Sequence, residues 1–186
     1  CGDTRPSLRH SWSRLRGANP ELLWCSRCEI AFFNPRLDEE EMGALYRNYR
    51  GPEYQAERQR SEPEYTPEIN AMIGTGEVEV QTRRAHLRTF LGKHLDFNAI
   101  RSVLDYGGDR GQYILEEFAE ARRAVYEISG AETVPGVAAF QDWATVCGSN
   151  YDLVLCNHVL EHVSHPGALL TQLAKDHTFF TTEMAR

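Results

Sequence analysis

The sequence predicts an α/β protein: a mostly parallel sheet flanked by helices, with a small β module at its N-terminus. Three observations carry this. Short aliphatic runs near residues 100–106 and 122–128 are separated by a glycine turn and an amphipathic stretch, the order strand, loop, helix, strand. Residues 103–114, VLDYGGDRGQYI, hold Gly107, Gly108 and Gly111, three of the chain's 14 glycines, within five positions just after such a run. Finally, Cys25 and Cys28 in WCSRCE lie between the apolar runs ELLW and EIAFF, as in a tight β-hairpin.

Composition narrows the function classes. The 186 residues, 41% hydrophobic and 25% charged, suit one principal core plus a small appendage. A net charge of -7 repels polyphosphate over most of the surface and argues against nucleic acid as the partner. A local basic patch is still present, since residues 1–36 hold six arginines against three acids. No stretch approaches the roughly 20 apolar residues of a membrane span, and the N-terminus is charged, so a soluble, cytoplasmic protein without membrane contact is expected. The chain opens on Cys1, which predicts that it is a fragment of a longer polypeptide.

Three regions follow. Residues 1–36 form the cysteine-bearing module. Without a secretory signal, Cys-x-x-Cys reads as metal or redox chemistry before disulfide. A redox pair belongs at a helix start, where the dipole lowers a thiol pKa. A hairpin turn is instead the half-site of a zinc ribbon, with an unmetallated pair as the alternative. Cys1, followed by Gly2, reads as the last cysteine of a second knuckle, so Cys1, Cys25 and Cys28 are the candidate ligands of a structural zinc. His10 or an upstream cysteine would be the fourth. Residues 37–95 read as a helical linker or lid region: LDEEEMGALYRNY is acidic at its start, and residues 77–95 carry Val80, Leu87, Leu91 and Leu95 at helical spacing. Between them, GPEYQAERQRSEPEYTPE is proline-rich and charged, which predicts a solvated linker or lid.

Residues 96–186 hold the βαβ pattern: IRSVLDY as strand, GGDRG as turn, QYILEEFAEA as amphipathic helix and RAVYEIS as a second strand ending in Glu127. In this Rossmann-like plan a glycine turn and a helix N-terminus approach a ligand, while an acid about 20 positions on accepts bonds from ribose hydroxyls. Asp105 and Glu127 fit that spacing.

The glycines do not follow the G-x-G-x-x-G order of dinucleotide sites. With Asp105, Gly107 and Gly111, the run DYGGDRG resembles motif I, D-x-G-x-G-x-G, of class I S-adenosylmethionine-dependent methyltransferases. The resemblance covers most of residues 100–185 and implies an enzyme that binds S-adenosylmethionine. It implies a cofactor site of Asp105, Gly107, Gly108, Gly111, Glu127 on the ribose, Asp142 on the adenine amino group, Trp143 beside the ring, and Asn157 at the end of the fourth strand. YDLVLCNHVLEHVSHP resembles the small-molecule and sugar branch, in which a zinc-binding Cys-x-x-Cys module can precede the core. The acceptor implied is a small molecule, such as a nucleotide-linked sugar or a natural-product intermediate. One departure is Asp109 at the second motif glycine, where a carboxylate either points to solvent or crowds and repels the cofactor's carboxylate.

CNHVLEHVSHP sets His158, Glu161, His162 and His165 just past a strand's carboxyl end, where open α/β sheets place their sites. On a helix, His158 and His162 would share a face with Glu161. The order differs from H-E-x-x-H, so a zincin is excluded. Two readings stand: Glu161 and His162 orient the cofactor loop, or His162 or His158 is the general base.

Connection lengths add expectations. The 14 residues between Glu127 and Asp142 make the second crossover helix very short or absent. LLTQLAKDHTFF passes from helix to fifth strand with almost no turn, and the sixth and seventh strands usual in this fold are missing, as in a minimal fragment or a chain lacking loops. Two other functions stay open: an RNA methyltransferase with a zinc module, and a non-catalytic interaction module on a degraded fold. The sequence sets no oligomeric state.

Overall fold

A computed structural model of the chain describes residues 9–11, 21–25, 30–46 and 49–183. Strands β1 (Arg9–Ser11), β2 (Glu21–Cys25) and β3 (Ile30–Asn34) form an antiparallel sheet in that order. Cys25 pairs with Ile30 in the β2–β3 hairpin, as the apolar runs predict. Cys1 and Cys28 lie outside the described residues, and with them the expected zinc site.

Helix α1 (Glu39–Tyr46) begins where Asp38 and Glu41 cap each other: the Glu41 amide donates to Asp38 Oδ1 at 2.8 Å and the Asp38 amide to Glu41 Oε2 at 2.9 Å. The proline-rich stretch that reads as a solvated linker instead folds as α2 (Pro52–Ser61) and α3 (Pro67–Met72). Both prolines sit in the first helical turn, where the N–H they lack would have had no intrahelical partner. Thr66 accepts from the Ile69 amide to cap α3. Pro52 and Pro67 start helices, while Pro63 follows the end of α2. Helix α4 (Glu77–Leu91) then leads to the main sheet.

That sheet contains β4 (Ser102–Tyr106), β5 (Arg122–Tyr126), β6 (Ala138–Phe140), β7 (Tyr151–Asn157) and β8 (His177–Glu183), all parallel, in the order β6-β5-β4-β7-β8. The two ends of this order run away from β4, as in a doubly wound sheet. Helix α5 (Trp143–Val146) and helix α6 (Pro166–Asp176) follow β6 and β7. The α/β, parallel, Rossmann-like expectation holds. As expected, residues 128–137 contain no helix and α6 runs directly into β8.

Successive residues of β4 face opposite layers. Val103 packs with Leu91, Ile114, Leu115, Phe118 and Val125 on one side, and Leu104 with Val146, Val154, Leu160 and Leu173 on the other. The expected helix over QYILEEFAEA is absent: only one 3-10 turn, Glu116–Phe118, forms there. Ile114, Leu115 and Phe118 are at most 2% exposed and plug the core as separate knobs, each stabilising by about 1.5–3 kcal/mol. Helix α4 already covers that face through Leu87 and Leu91. Its Arg84 donates to Gln112 O at 2.9 Å, and its Arg88 pairs with Glu117. A second helix has no space to cover.

Candidate functional site

Parallel registry gathers the site. Tyr106 of β4 stands beside Tyr126 of β5, and Tyr126 beside Phe140 of β6, so the residues that follow each strand emerge along one edge. A cavity of about 550 Å³ opens there, floored by Tyr106, Gly107, Tyr126, Glu127 and Trp143. The rings of Tyr106, Tyr126 and Trp143 touch pairwise, with centroids 4.9 to 5.3 Å apart. Each ring holds the other two, so the floor is rigid.

The glycine cluster is explained by what surrounds it. Gly107 has φ +69°, and a Cβ there would lie 2.6 Å from Val159 Cγ2. At Gly108 a Cβ would lie 2.2 Å from Asp105 Cγ. A side chain at either position would push the loop off the strand ends. Asp105 is thus beneath the loop. It is 2% exposed, with Oδ2 unpartnered among the described residues. Burial above all, then Glu127 and Asp109, pushes its carboxyl up to about 7.

Four of the loop's amides are occupied. Gly107 N–H donates to Tyr126 O, Gly111 N–H to Gly108 O, Arg110 N–H to Gln112 Oε1 and Asp109 N–H to Glu127 Oε2. Amides so occupied do not cradle a pyrophosphate, and no helix stands behind them to add its dipole. The loop suits a ligand without a phosphate bridge. Glu127 is held at both oxygens, Oε2 by Asp109 N–H at 3.2 Å and Oε1 by Ser129 N–H at 2.9 Å. Its remaining lone pairs face the cavity that it lines.

Asp109 is turned away from that cavity. It adopts φ +54° and sets Oδ2 3.2 Å from both Arg50 Nη1 and Gln112 Nε2. Arg50 is anchored in turn by donating to Ile73 O at 2.7 Å. Of the two outcomes open to this carboxylate, the structure shows neither free solvation nor intrusion: it is paired.

The histidine segment forms no helix before α6, because β7 ends in a turn that starts with His158 at φ +56°. The expected shared helical face is replaced by a turn closed by His162 N–H to Val159 O. His158, His162 and His165 all line the cavity regardless. His158 Nδ1 lies 3.7 Å from Glu161 Oε1, and the half-buried His162 ring is 5.6 Å from that of Tyr46. Burial, more than any neighbouring charge, depresses the His162 pKa. Cys156 is inert by comparison, its thiol pushed up to about 12 by burial.

Asp142 is not part of the cavity wall, and its Oδ1 instead accepts from Ala144 N–H at 2.9 Å as the cap of α5. Trp143, the next residue, does line the cavity, with its Nε1 buried and unpartnered among the described residues. Asn157 Oδ1, at the end of β7, is likewise buried and unpartnered. Cys25 is buried at the end of β2, and the described residues contain no cluster of three or more ion-holding side chains.

The far wall comes from the region read as a helical linker or lid, without its residues having been named for the site. Glu39, Met42, Gly43 and Tyr46 of α1 close the cavity opposite the strand ends. Arg36 donates to Leu160 O and Val163 O, and Ser164 Oγ donates to Leu37 O at 2.6 Å, pinning α1 over the histidine turn. An acidic helix start signals a helix but not what it covers.

A parallel sheet with a glycine turn after β4, an acid after β5 and a cavity over both has the doubly wound, Rossmann-like plan. A family model described as a methyltransferase domain matches residues 77–180, more than half of the 186-residue chain, and the chain belongs to that family. The match spans α4 to β8 and leaves out α1 and the β module. Comparison with curated proteins found no match. Among the described residues no helix is long and apolar enough to cross a membrane.

Proposed function

We propose that this methyltransferase uses S-adenosylmethionine and acts on a small-molecule acceptor. The observation that carries the reading is Glu127, a carboxylate clamped by two amides beside a glycine turn in which the Gly107, Asp109, Arg110 and Gly111 N–H groups are occupied. Such an acceptor suits ribose hydroxyls, and such a turn suits a nucleoside joined to sulfur rather than to phosphate. Gly107 and Gly108 let the loop sit directly on Val159 and Asp105, which sets Gly107 at the cavity floor, and the unpartnered Trp143 Nε1 offers a donor there. Glu127, Gly107 and Trp143 would hold the nucleoside end. When bound, the cofactor supplies an activated methyl electrophile.

The chain's own work is then positioning and proton removal. Tyr106, Tyr126 and Trp143 give a stiff floor, and α1 shuts out water from above. His162 stays neutral near pH 7 because burial disfavours its cation, so it can accept a proton from the acceptor. The β module is proposed to hold a structural zinc, with Cys25 at the hairpin's end and Cys28 and Cys1 as further ligands. A cytoplasmic enzyme is the accompanying reading.

Calorimetry with S-adenosylhomocysteine on the wild type and on Glu127→Ala tests the cofactor. Loss of a charged acceptor should weaken binding by about 1.5–3 kcal/mol. No heat from the wild type at millimolar ligand would overturn the reading.

A further inference from the structure

The acceptor end of the cavity has a charge character that selects the class of molecule it admits. Beyond the cofactor floor, the walls are Met42 and Tyr46 of α1, Val163 of the histidine turn, and Leu169 of α6. Glu39, in the first turn of α1, lines the same cavity and keeps its carboxylate exposed. Among the described residues that line the cavity, none is lysine or arginine. Arg36, which precedes α1, is spent on the carbonyls of Leu160 and Val163. Arg50 is spent on Asp109 and Ile73 O.

Apart from the phenols of Tyr46, Tyr106 and Tyr126, the remaining titratable groups on the lining are Glu127, His158, His162 and His165. Two carboxylates therefore face three imidazoles, of which His162 is kept toward its neutral form by burial. The amino end of α6 has the opposite sign, but its Ala168 and Leu169 amides already donate to His165 O. Of the glycine loop only Gly107 is on the lining, and the Arg110 side chain is turned to Glu132 O. A phosphate or carboxylate brought into this space would be desolvated without a cation to meet it.

We infer that the acceptor subsite between α1, the histidine turn and α6 takes a non-anionic small molecule with an apolar or aromatic body, an amine-bearing one best of all, with Glu39 reading its donor group. This deepens the methyltransferase reading and rests on it. It also removes nucleotide-linked sugars from the acceptor class, because their diphosphate would have no partner on the lining. An amine gains twice, from the Glu39 carboxylate and from the face of the Tyr46 ring.

Three probes of one ring size separate the charge classes: tyramine, 4-methylphenol and phenyl phosphate. Their binding to the full chain would be measured by saturation-transfer NMR and calorimetry, with and without S-adenosylhomocysteine. The expected order is tyramine, then 4-methylphenol, then phenyl phosphate, with about tenfold or more between the first and last. Glu39→Gln should abolish the preference for tyramine over 4-methylphenol, and Glu39→Lys should reverse the order of tyramine and phenyl phosphate. Both variants should keep the wild-type circular dichroism spectrum and urea midpoint, which shows that they fold. Phenyl phosphate binding as tightly as tyramine, or a charge preference indifferent to Glu39, would overturn the inference. Failure of S-adenosylhomocysteine to bind while the probe order holds would instead strike the cofactor reading and leave the charge selection standing.

Discussion

Arg50 and Asp109, 59 residues apart in sequence, meet at 3.2 Å, and through this pair the helical region preceding the sheet grips the glycine loop. Gln112 extends the link, donating to Asp109 Oδ2 at 3.2 Å and to Gly74 O at 3.0 Å. The departure from a motif glycine is thus absorbed by a partner outside the motif. Because both side chains are about one-fifth exposed, the pair itself is worth no more than about 1 kcal/mol. Replacing Asp109 by glycine relieves a left-handed backbone as it breaks the pair, so Asp109→Gly should shift stability by less than about 1 kcal/mol. Arg50→Ala should destabilise more, since Ile73 O also loses its donor. A double-mutant cycle on urea midpoints should show coupling of about 0.5–1 kcal/mol, and strict additivity would show the two residues to be independent.

Asp105 makes stability depend on pH. Its carboxyl is raised from an ordinary 3.8 to about 7, so between these values the folded chain binds the proton that the unfolded chain releases. The stabilising contribution is complete below about pH 4 and is lost as pH rises through 7. Wild type should therefore lose stability from pH 5 to 8 relative to Asp105→Asn, which keeps the shape and cannot ionise. Parallel pH profiles of the two urea midpoints would refute this.

His162 separates base from scaffold. As a general base, His162→Ala lowers the rate by roughly 10² to 10⁴ with cofactor affinity nearly intact. Since burial depresses its pKa, the acidic limb of the rate profile should fall below the ordinary histidine range. A structural histidine would lose stability or cofactor binding along with rate. His158→Ala is the control, and loss of activity there but not at His162 would move the base to His158.

The hairpin offers a test independent of catalysis. Cys25→Ser and Cys28→Ser should each release zinc, measured by atomic emission on purified protein, and should unfold the β module, because a structural site contributes folding energy directly. Wild-type protein purified without zinc would refute the site.

Where local chemistry decides, residues near one another were enough to read the fold. The β2–β3 hairpin, the strands ending at Tyr106 and Tyr126, and the short connection from Glu127 to Asp142 all follow from runs of about five residues and their turn signals. The glycine cluster was visible too, although its cause, the closeness of Val159 and the Asp105 side chain, was not. What the sequence by itself determined is the order of strands and the acid and glycines at their ends.

Tertiary packing decided the rest. QYILEEFAEA has helical periodicity, yet α4 occupies the face that its helix would need, so its apolar residues enter the core singly. The stretch 158–165 has helical spacing as well, but the strand exit at His158 takes a left-handed conformation and the helix waits until Pro166. The roof of the cavity comes from α1, more than 100 residues away from the histidines it covers, held by hydrogen bonds to their backbone neighbours. Periodicity records which residues avoid water, not which element reaches a shared surface first, and that competition is settled only when the whole chain has packed.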